Sequence, residues 1–504
     1  MSDVMITTPL DRIDGIVSAT RATFASGRTR PEAWRTVTLR RLRELLVQHE
    51  PALLAALALD LGKPGIEAWT TEIGFTIAEI DHALAHLSSW MKPERVATPV
   101  TLQPASSHIV PEPLGVVAVI APWNYPVQLL LAPIVAAVAA GNAVVAKPSE
   151  LAPASAEALA RLLAELADPA VTVVEGGVAE TTELLRQRFD HIIYTGNGRV
   201  ARVVMRAAAE HLTPVTLELG GKSPTIVSRH ARLDVTARRI VWGKFVNAGQ
   251  TCIAPDYVLV ERPVHDELVA AMVAAVGELY GVDPAASPDY GRIVSAPQFH
   301  RIEKLLHEGR AVCGGTADPD TRYIAPTILT GITRAHAVMA EEIFGPVLPV
   351  LAVDSLDEAI AFVNADDKPL ALYAFSEQRH ETDRIVAGTS SGGVTVNGTL
   401  MHVANPQPAL RWGGPQRHRR LPRPGRVRRV QPPALDPGPF HPARRAAALP
   451  ALHRDEAEAD PAGSAAARPT RGARPPQRGG APAATGRLTR RGRTITGSGR
   501  ARRR

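Results

Sequence analysis

A chain of 504 residues, 45% of them hydrophobic, can enclose a large core and is long enough for two or three domains. Its two cysteines, Cys252 and Cys313, are too few for a disulfide framework and fit a reducing, cytoplasmic setting; no basic segment followed by an apolar run opens the chain, so no secretion leader is expected. The net charge of +7 conceals two differently composed pieces: Pro408 to Arg504 holds 23 Arg, no Lys and five acids, whereas the first 407 residues carry 34 basic side chains against 45 acidic ones.

From about residue 10 to 95, apolar side chains recur at helical spacing, through Trp34–Leu61 and again through Ile73–Trp90. The stretch 98–112 has strand composition interrupted by turn residues, which predicts an extended excursion or hairpin. Strand–helix alternation follows. Strands are expected at Gly115–Ile120, Ala143–Ala146, Val171–Val174 and His191–Tyr194, and helices at Gln128–Ala140, Ala154–Ala167, Thr181–Arg188 and Val200–His211. The longest apolar run, Leu129 to Ala146, is broken by Pro133 and by Gly141-Asn142, so a buried helix, turn and strand explain it better than a membrane span. A second such stretch runs from about Val215 to Asn397, with strands at Tyr257–Val260 and Val347–Val353 and helices at Val264–Tyr280 and Leu356–Asn364. The fold class is α/β, built on parallel sheets covered on both faces. Past Pro408, Arg, Pro, Ala and Gly dominate; such a segment cannot offset its ordering entropy by burial and is expected to be disordered.

Four short segments can carry function. Phe245-Val-Asn-Ala-Gly-Gln-Thr-Cys252 sets a cysteine after a small, polar, glycine-containing stretch, where a turn can expose sulfur to a carbonyl carbon. Taken alone, a cysteine is more commonly just buried, and Cys313 is read that way. Glu218, in Leu217-Glu-Leu-Gly-Gly-Lys222, is flanked by leucines, and burial would raise its pKa toward general-base duty. Ala121-Pro-Trp-Asn-Tyr-Pro126 offers the Asn124 amide to an oxyanion, with Trp123 and Tyr125 walling an apolar pocket. Gly196-Asn-Gly198-Arg-Val-Ala201 matches a short dinucleotide fingerprint, with Glu218 following at the distance of an acidic ribose ligand. One glutamate cannot be both ribose ligand and base, and the local pattern leaves the choice open.

Taken together, these segments resemble the aldehyde dehydrogenases. Trp123-Asn-Tyr-Pro, Lys147-Pro-Ser-Glu150, Leu217-Glu-Leu-Gly-Gly-Lys222, Gly249-Gln-Thr-Cys252 and Glu341-Glu-Ile-Phe-Gly-Pro346 stand in that family's order. His211-Leu-Thr-Pro, Cys252-Ile-Ala-Pro-Asp-Tyr257, Arg322-Tyr-Ile-Ala-Pro and Ser390-Ser-Gly-Gly393 resemble its class 3 branch, and the likeness covers roughly residues 10–406. The resemblance implies a Rossmann-type NAD(P)-binding domain over 1–97 and 113–214, a bridging and oligomerisation hairpin over 98–112, and a catalytic domain over 215–405. It implies Cys252 as nucleophile, Glu218 as general base and Asn124 as oxyanion donor. Lys147 and Glu150 would hold the adenosine ribose, Gly196 the pyrophosphate, and Glu342 and Phe344 the nicotinamide side. NAD is the expected cofactor, with NADP possible, because a 2′-phosphate would face Glu150 with like charge. Ala201 departs from a glycine common in relatives and is expected to shift cofactor affinity. The resemblance also implies oxidation of medium- or long-chain aliphatic or aromatic aldehydes, a homodimer in intact relatives, and no metal.

Residues 406–504 depart from the family. Back-translated and read one base later, Pro408 onward permits the family's continuation L-P-F-G-G and its later Tyr-His-Gly and Ser-His positions, so a one-base insertion near Gln407 or Pro408 is expected. The altered end leaves a catalytically impaired remnant as an alternative function. Nucleic-acid binding through the basic tail is a further alternative, but after Trp412 the tail has one aromatic, Phe440, and no recognisable module. Being polar, it is expected to offer no membrane anchor.

Overall fold

The computed structural model describes residues 7–103, 105–404 and the backbone of 429–430. The expected tail 406–504 therefore lies almost wholly outside the described residues.

The N-terminal helices form where helical periodicity predicts them, with one break. Trp34–Leu61 is two helices, Glu32–Gln48 and Glu50–Leu61, because Pro51 cannot continue the first and instead opens the second. Gly65–Ala68 then runs through a π turn, Trp69–Ile73, into Gly74–Trp90.

Strands β1 (Glu94–Val96) and β2 (Ser107–Ile109) pair antiparallel. The hairpin thus exists, but its first arm lies ahead of the expected segment 98–112. Next come β3 (Val116–Ile120), β4 (Ala143–Lys147), β5 (Val171–Val173), β6 (His191–Gly196) and β7 (Val215–Leu219). They form a parallel sheet in the order β5-β4-β3-β6-β7. Successive side chains of a strand point to opposite faces. Val117 and Val119 accordingly join a core with Leu39, Leu42, Ile80 and Leu130, while Val116, Ala118 and Ile120 join another with Ile13, Val17 and Val204. Because β7 pairs with β6, this sheet extends to Leu219, past the boundary expected at 214.

The second sheet uses β8 (Pro224–Val227), β9 (Tyr257–Glu261), β10 (Arg310–Cys313), β13 (Thr327–Thr330), β14 (Val347–Val353), β15 (Ala371–Phe375), β16 (Gly393–Val396) and the pair Arg429–Val430, β17. Two short strands between them, β11 (Ala317–Asp318) and β12 (Tyr323–Ile324), pair with each other. The order β10-β13-β14-β9-β8-β15-β16-β17 places β8 and β9 at the centre. Gly220–Ser223 alone joins β7 of the first sheet to β8 of the second.

No helix among the described residues is long and apolar enough to cross a membrane. The run Leu129 to Ala146 divides between the helix Pro126–Ala139 and β4, as its breaks predict.

Candidate active site

In the first sheet the chain turns outward from β3 to β4 and β5, then returns to β6 on the other side. That reversal opens a crevice beyond the C-terminal ends of β3 and β6, the usual ligand position of an open α/β sheet. The loop Trp123–Tyr125 follows β3, Lys147 ends β4, and Gly196 ends β6. A cleft of about 2020 Å³ continues from there to the second sheet. All ten residues singled out from the sequence line it: Trp123, Asn124, Tyr125, Lys147, Glu150, Gly196, Glu218, Cys252, Glu342 and Phe344.

Cys252 sits on a loop of unusual backbone. After the helix Leu233–Phe245, Asn247, Ala248 and Gly249 all adopt positive φ, at 53°, 49° and 73°. The left-handed region disfavours a Cβ, so two of these three residues carry strain held by their surroundings. Gly249 is required twice over, since a Cβ there would lie 2.3 Å from the carbonyl oxygen of Gly345. The Asn247 amide N–H donates to Glu67 (2.9 Å), and the Gln250 side-chain amide donates to the Asn247 (3.0 Å) and Arg292 (2.9 Å) carbonyls. The thiol is half-buried, and burial pushes its pKa up to about 12, with the carboxylates of Glu342 and Glu218 adding to the rise. Backbone N–H groups of Cys252 and Ile253 act in the opposite sense.

The Asn124 side chain donates to the carbonyl of Gln250 at 2.9 Å, two residues before the sulfur. That bond orients the amide and leaves its second N–H for a ligand. Tyr125 lines the cleft but is more than an apolar wall, because its hydroxyl bonds Thr251 Oγ1 at 2.6 Å and braces the cysteine loop. Trp123 packs edge-on against Phe344, with centroids 5.3 Å apart.

Glu218 stands on β7, at the edge of the first sheet, and burial raises its pKa. The glycines that follow it have a steric reason. A Cβ on Gly220 would lie 2.0 Å from Glu342 Oε2, and the Gly221 N–H donates to that carboxylate. Burial lifts Glu342 to about 8, with nearby Asp256 adding to the effect. Lys147 is fully buried; its ammonium donates to the Pro148 carbonyl (2.6 Å) and approaches Glu150 at 3.5 Å. Asn197 caps the helix Gly198–Glu210 by accepting from Val200 N–H (3.0 Å). That helix start, beside Gly196, suits a diphosphate. Ala201 is buried in the core with Val116 and Val204 and does not line the cleft, so an effect of its methyl on the cofactor would act through the packing of the helix Gly198–Glu210.

Sequence reasoning missed the supports of the site. Lys63 and Glu72 form a fully buried pair, and Lys222 bonds Asp256 and the carbonyls of Val338 and Glu341, tethering the loop that carries Glu342. Asn247 and Gln250 lie inside the quoted cysteine motif, where two polar side chains so close to the sulfur were the available signal.

The model of the aldehyde dehydrogenase family matches residues 7–416. The chain belongs to that family. It is 46% identical over 396 residues to the dimeric NADP-preferring aldehyde dehydrogenase of Canis lupus familiaris, covering 78% of this chain and 87% of that one. It is 49% identical over 387 residues to aldehyde dehydrogenase family 3 member A2 of Rattus norvegicus, covering 77% and 80%. The 4,4'-diaponeurosporen-aldehyde dehydrogenase of Staphylococcus aureus is 46% identical over 397 residues, covering 78% and 86%. Among solved structures, the substrate-bound state of Staphylococcus aureus AldH superposes with a TM-score of 0.77 at 45% identity, covering 80% of this chain and 88% of that one. This aldehyde dehydrogenase is thus an NAD(P)-dependent oxidoreductase that converts aldehydes to carboxylic acids.

Proposed function

We propose that Cys252 is the nucleophile, Asn124 the oxyanion donor and Glu218 the general base, acting on one carbonyl group in the cleft. The observation that carries this reading is their convergence: all three line the same cavity, and the Asn124 amide is pinned to the peptide just before the sulfur. The Cys252 sulfur releases its proton to solvent and bonds the aldehyde carbon, and the carbonyl oxygen takes the electron pair of the broken π bond. The Asn124 amide and the Cys252 backbone N–H hold that oxyanion. Bound NAD(P) supplies the hydride acceptor. Glu218 then takes a proton from the water that cleaves the thioester, and its raised pKa suits that transfer.

The residues present fit a dinucleotide. A capped helix start faces the crevice for the diphosphate, Lys147 and Glu150 stand beside it for the ribose, and Glu342 and Phe344 flank the nicotinamide end near the sulfur. Residues 7–93 and 113–219 form the cofactor domain, and 224–404 the catalytic domain. Glu150 favours the free ribose hydroxyls of NAD over a 2′-phosphate. Trp123, Phe75, Leu129 and Trp90 line the cleft and suit an aromatic or longer aliphatic aldehyde. The β1–β2 hairpin region exposes Val100 (87%), Leu102 and Val110, an apolar surface we assign to a homodimer contact. Both cysteines are free, consistent with the cytoplasm.

The test follows NADH absorbance with medium-chain and aromatic aldehydes, using Cys252→Ala as control. Turnover abolished by the substitution is the expected result. A folded, cofactor-binding Cys252→Ala variant that still oxidises aldehydes at the parent rate would refute the assignment.

A further inference from the structure

We propose that the buried pair Lys63–Glu72 is the positioning device of the oxyanion site, fixing the peptide of Asn124 against the cysteine loop. This rests on the reading of Asn124 as the oxyanion donor.

Both side chains are 0% exposed. Taking two charges out of water is costly, and well-packed apolar residues often do as well or better for stability. Stability alone therefore gives a weak reason for the pair, and its hydrogen bonds supply a stronger one. Lys63 Nζ donates to Glu72 Oε1 (2.5 Å) and to the carbonyl oxygen of Asn124 (3.1 Å), and it lies 4.1 Å from the centre of the Tyr125 ring. Glu72 Oε2 accepts from the backbone N–H groups of Val127 (2.8 Å) and Gln128 (3.2 Å). Those donors belong to the first turn of the helix Pro126–Ala139, where N–H groups lack helical partners and the dipole favours an anion. One ion pair thus holds both ends of the segment 124–128.

The same segment is tied to the cysteine loop from the other side. The Asn124 carbonyl also accepts from Asn247 Nδ2 (2.8 Å), which reaches the Gln250 carbonyl at 3.2 Å. Asn124 Nδ2 donates to that Gln250 carbonyl, closing a cycle of three residues. Without the ammonium the Asn124 peptide keeps one acceptor bond and can tilt, carrying its amide off the oxyanion position. A misplacement of about 1 Å can cost on the order of 10²-fold in rate.

Local structure explains how two charges arrive there. Gly62, at φ +58°, ends the helix Glu50–Leu61 and turns the chain so that Lys63 points inward. Glu72 lies in the π turn Trp69–Ile73, and Glu72 and Ile73 are both buried. Such turns interrupt regular helical facing and recur at functional sites. Neither residue need touch the substrate.

The experiment compares Lys63→Met/Glu72→Gln, Asn124→Ala and the triple variant. The neutral pair keeps a side-chain oxygen for the Val127 N–H but deprives the Asn124 carbonyl of its ammonium. We expect kcat to fall about tenfold to hundredfold, with KM for NAD within about twofold of the parent. Cofactor-free hydrolysis of a nitrophenyl ester should fall in parallel. In the Asn124→Ala background the pair substitution should cost nothing more. Parent kcat in the folded pair variant, or the same factor lost again without Asn124, would overturn the proposal. Should the pair variant not fold, Glu72→Asp tests the same coupling, with a smaller loss that again vanishes when Asn124 is absent. Unimpaired activity of Asn124→Ala alone would instead refute the oxyanion assignment on which the proposal stands.

Discussion

Cys252 should be a poor nucleophile until ligands arrive. Burial, reinforced by Glu342 and Glu218, pushes its thiol up to about 12. At pH 9, where Glu342 is charged, the thiolate fraction is then about 10⁻³, against about 75% for a free thiol near pKa 8.5, so alkylation should run roughly 700-fold slower. From there the rate should climb about tenfold per pH unit to pH 10. The charge of Glu342 gives this prediction a finer signature. Its own pKa is raised to about 8, so it opposes the thiolate only above that pH. Glu342→Gln should therefore speed alkylation on the alkaline side of pH 8 and change it little on the acid side. Iodoacetamide labelling of the cofactor-free protein, followed by peptide mass spectrometry with Cys313 as internal reference, measures both effects. Free-thiol reactivity at pH 9, or an equal Glu342→Gln effect at pH 6.5 and 9.5, would refute the reasoning. The physical implication is that activation of the sulfur belongs to the ligand-bound state, where a nearby cation or proton transfer can offset burial.

Further expectations follow from other parts of the site. Glu218→Gln should lower kcat by about 10² to 10⁴ while sparing a first-turnover burst of NADH, because the base serves thioester cleavage; stopped-flow absorbance separates the phases, and loss of the burst would contradict the role. Since burial raises the Glu218 pKa, hydrolysis should weaken as pH falls through that raised value. Gly249→Ala should destabilise the fold by at least about 1–3 kcal/mol, given φ +73° and the Gly345 carbonyl in its way, and an unchanged Tm would be the contrary result. Sequencing the DNA across codons 400–415 tests the one-base shift, which codons forbidding the shifted pattern would rule out.

Much of the candidate site was legible because chemistry requires particular residue types in sequence-local clusters. Cys252, Glu218 and Asn124 each stand in a short motif, and the order of the motifs narrows the family. Strand β14 and the helix Leu356–Asn364 fall where expected because their apolar spacing is unambiguous. Lys63 and Glu72 were not legible: nine residues apart, each looks like an ordinary charged surface position, and only the fold brings both under the Asn124 loop. The hairpin arm Glu94–Val96 is polar and short, so pairing with Ser107–Ile109 decides it rather than propensity. Likewise, the membership of β7 in the first sheet is a pairing fact that no local pattern of Val215–Leu219 announces.

That membership has a kinetic corollary. Glu218, the proposed proton acceptor, rides on the last strand of one sheet, while the sulfur rides on the loop that feeds β9 of the other, with Gly220–Ser223 joining β7 to β8, the neighbour of β9. Rocking one sheet against the other would lengthen or shorten the gap that the hydrolytic water must occupy, without disturbing either strand internally. The gap between Glu218 and the sulfur, on which deacylation depends, is therefore set at this connection, whereas Asn124, which follows β3 of the same first sheet, is pinned to the cysteine loop by its bond to the Gln250 carbonyl.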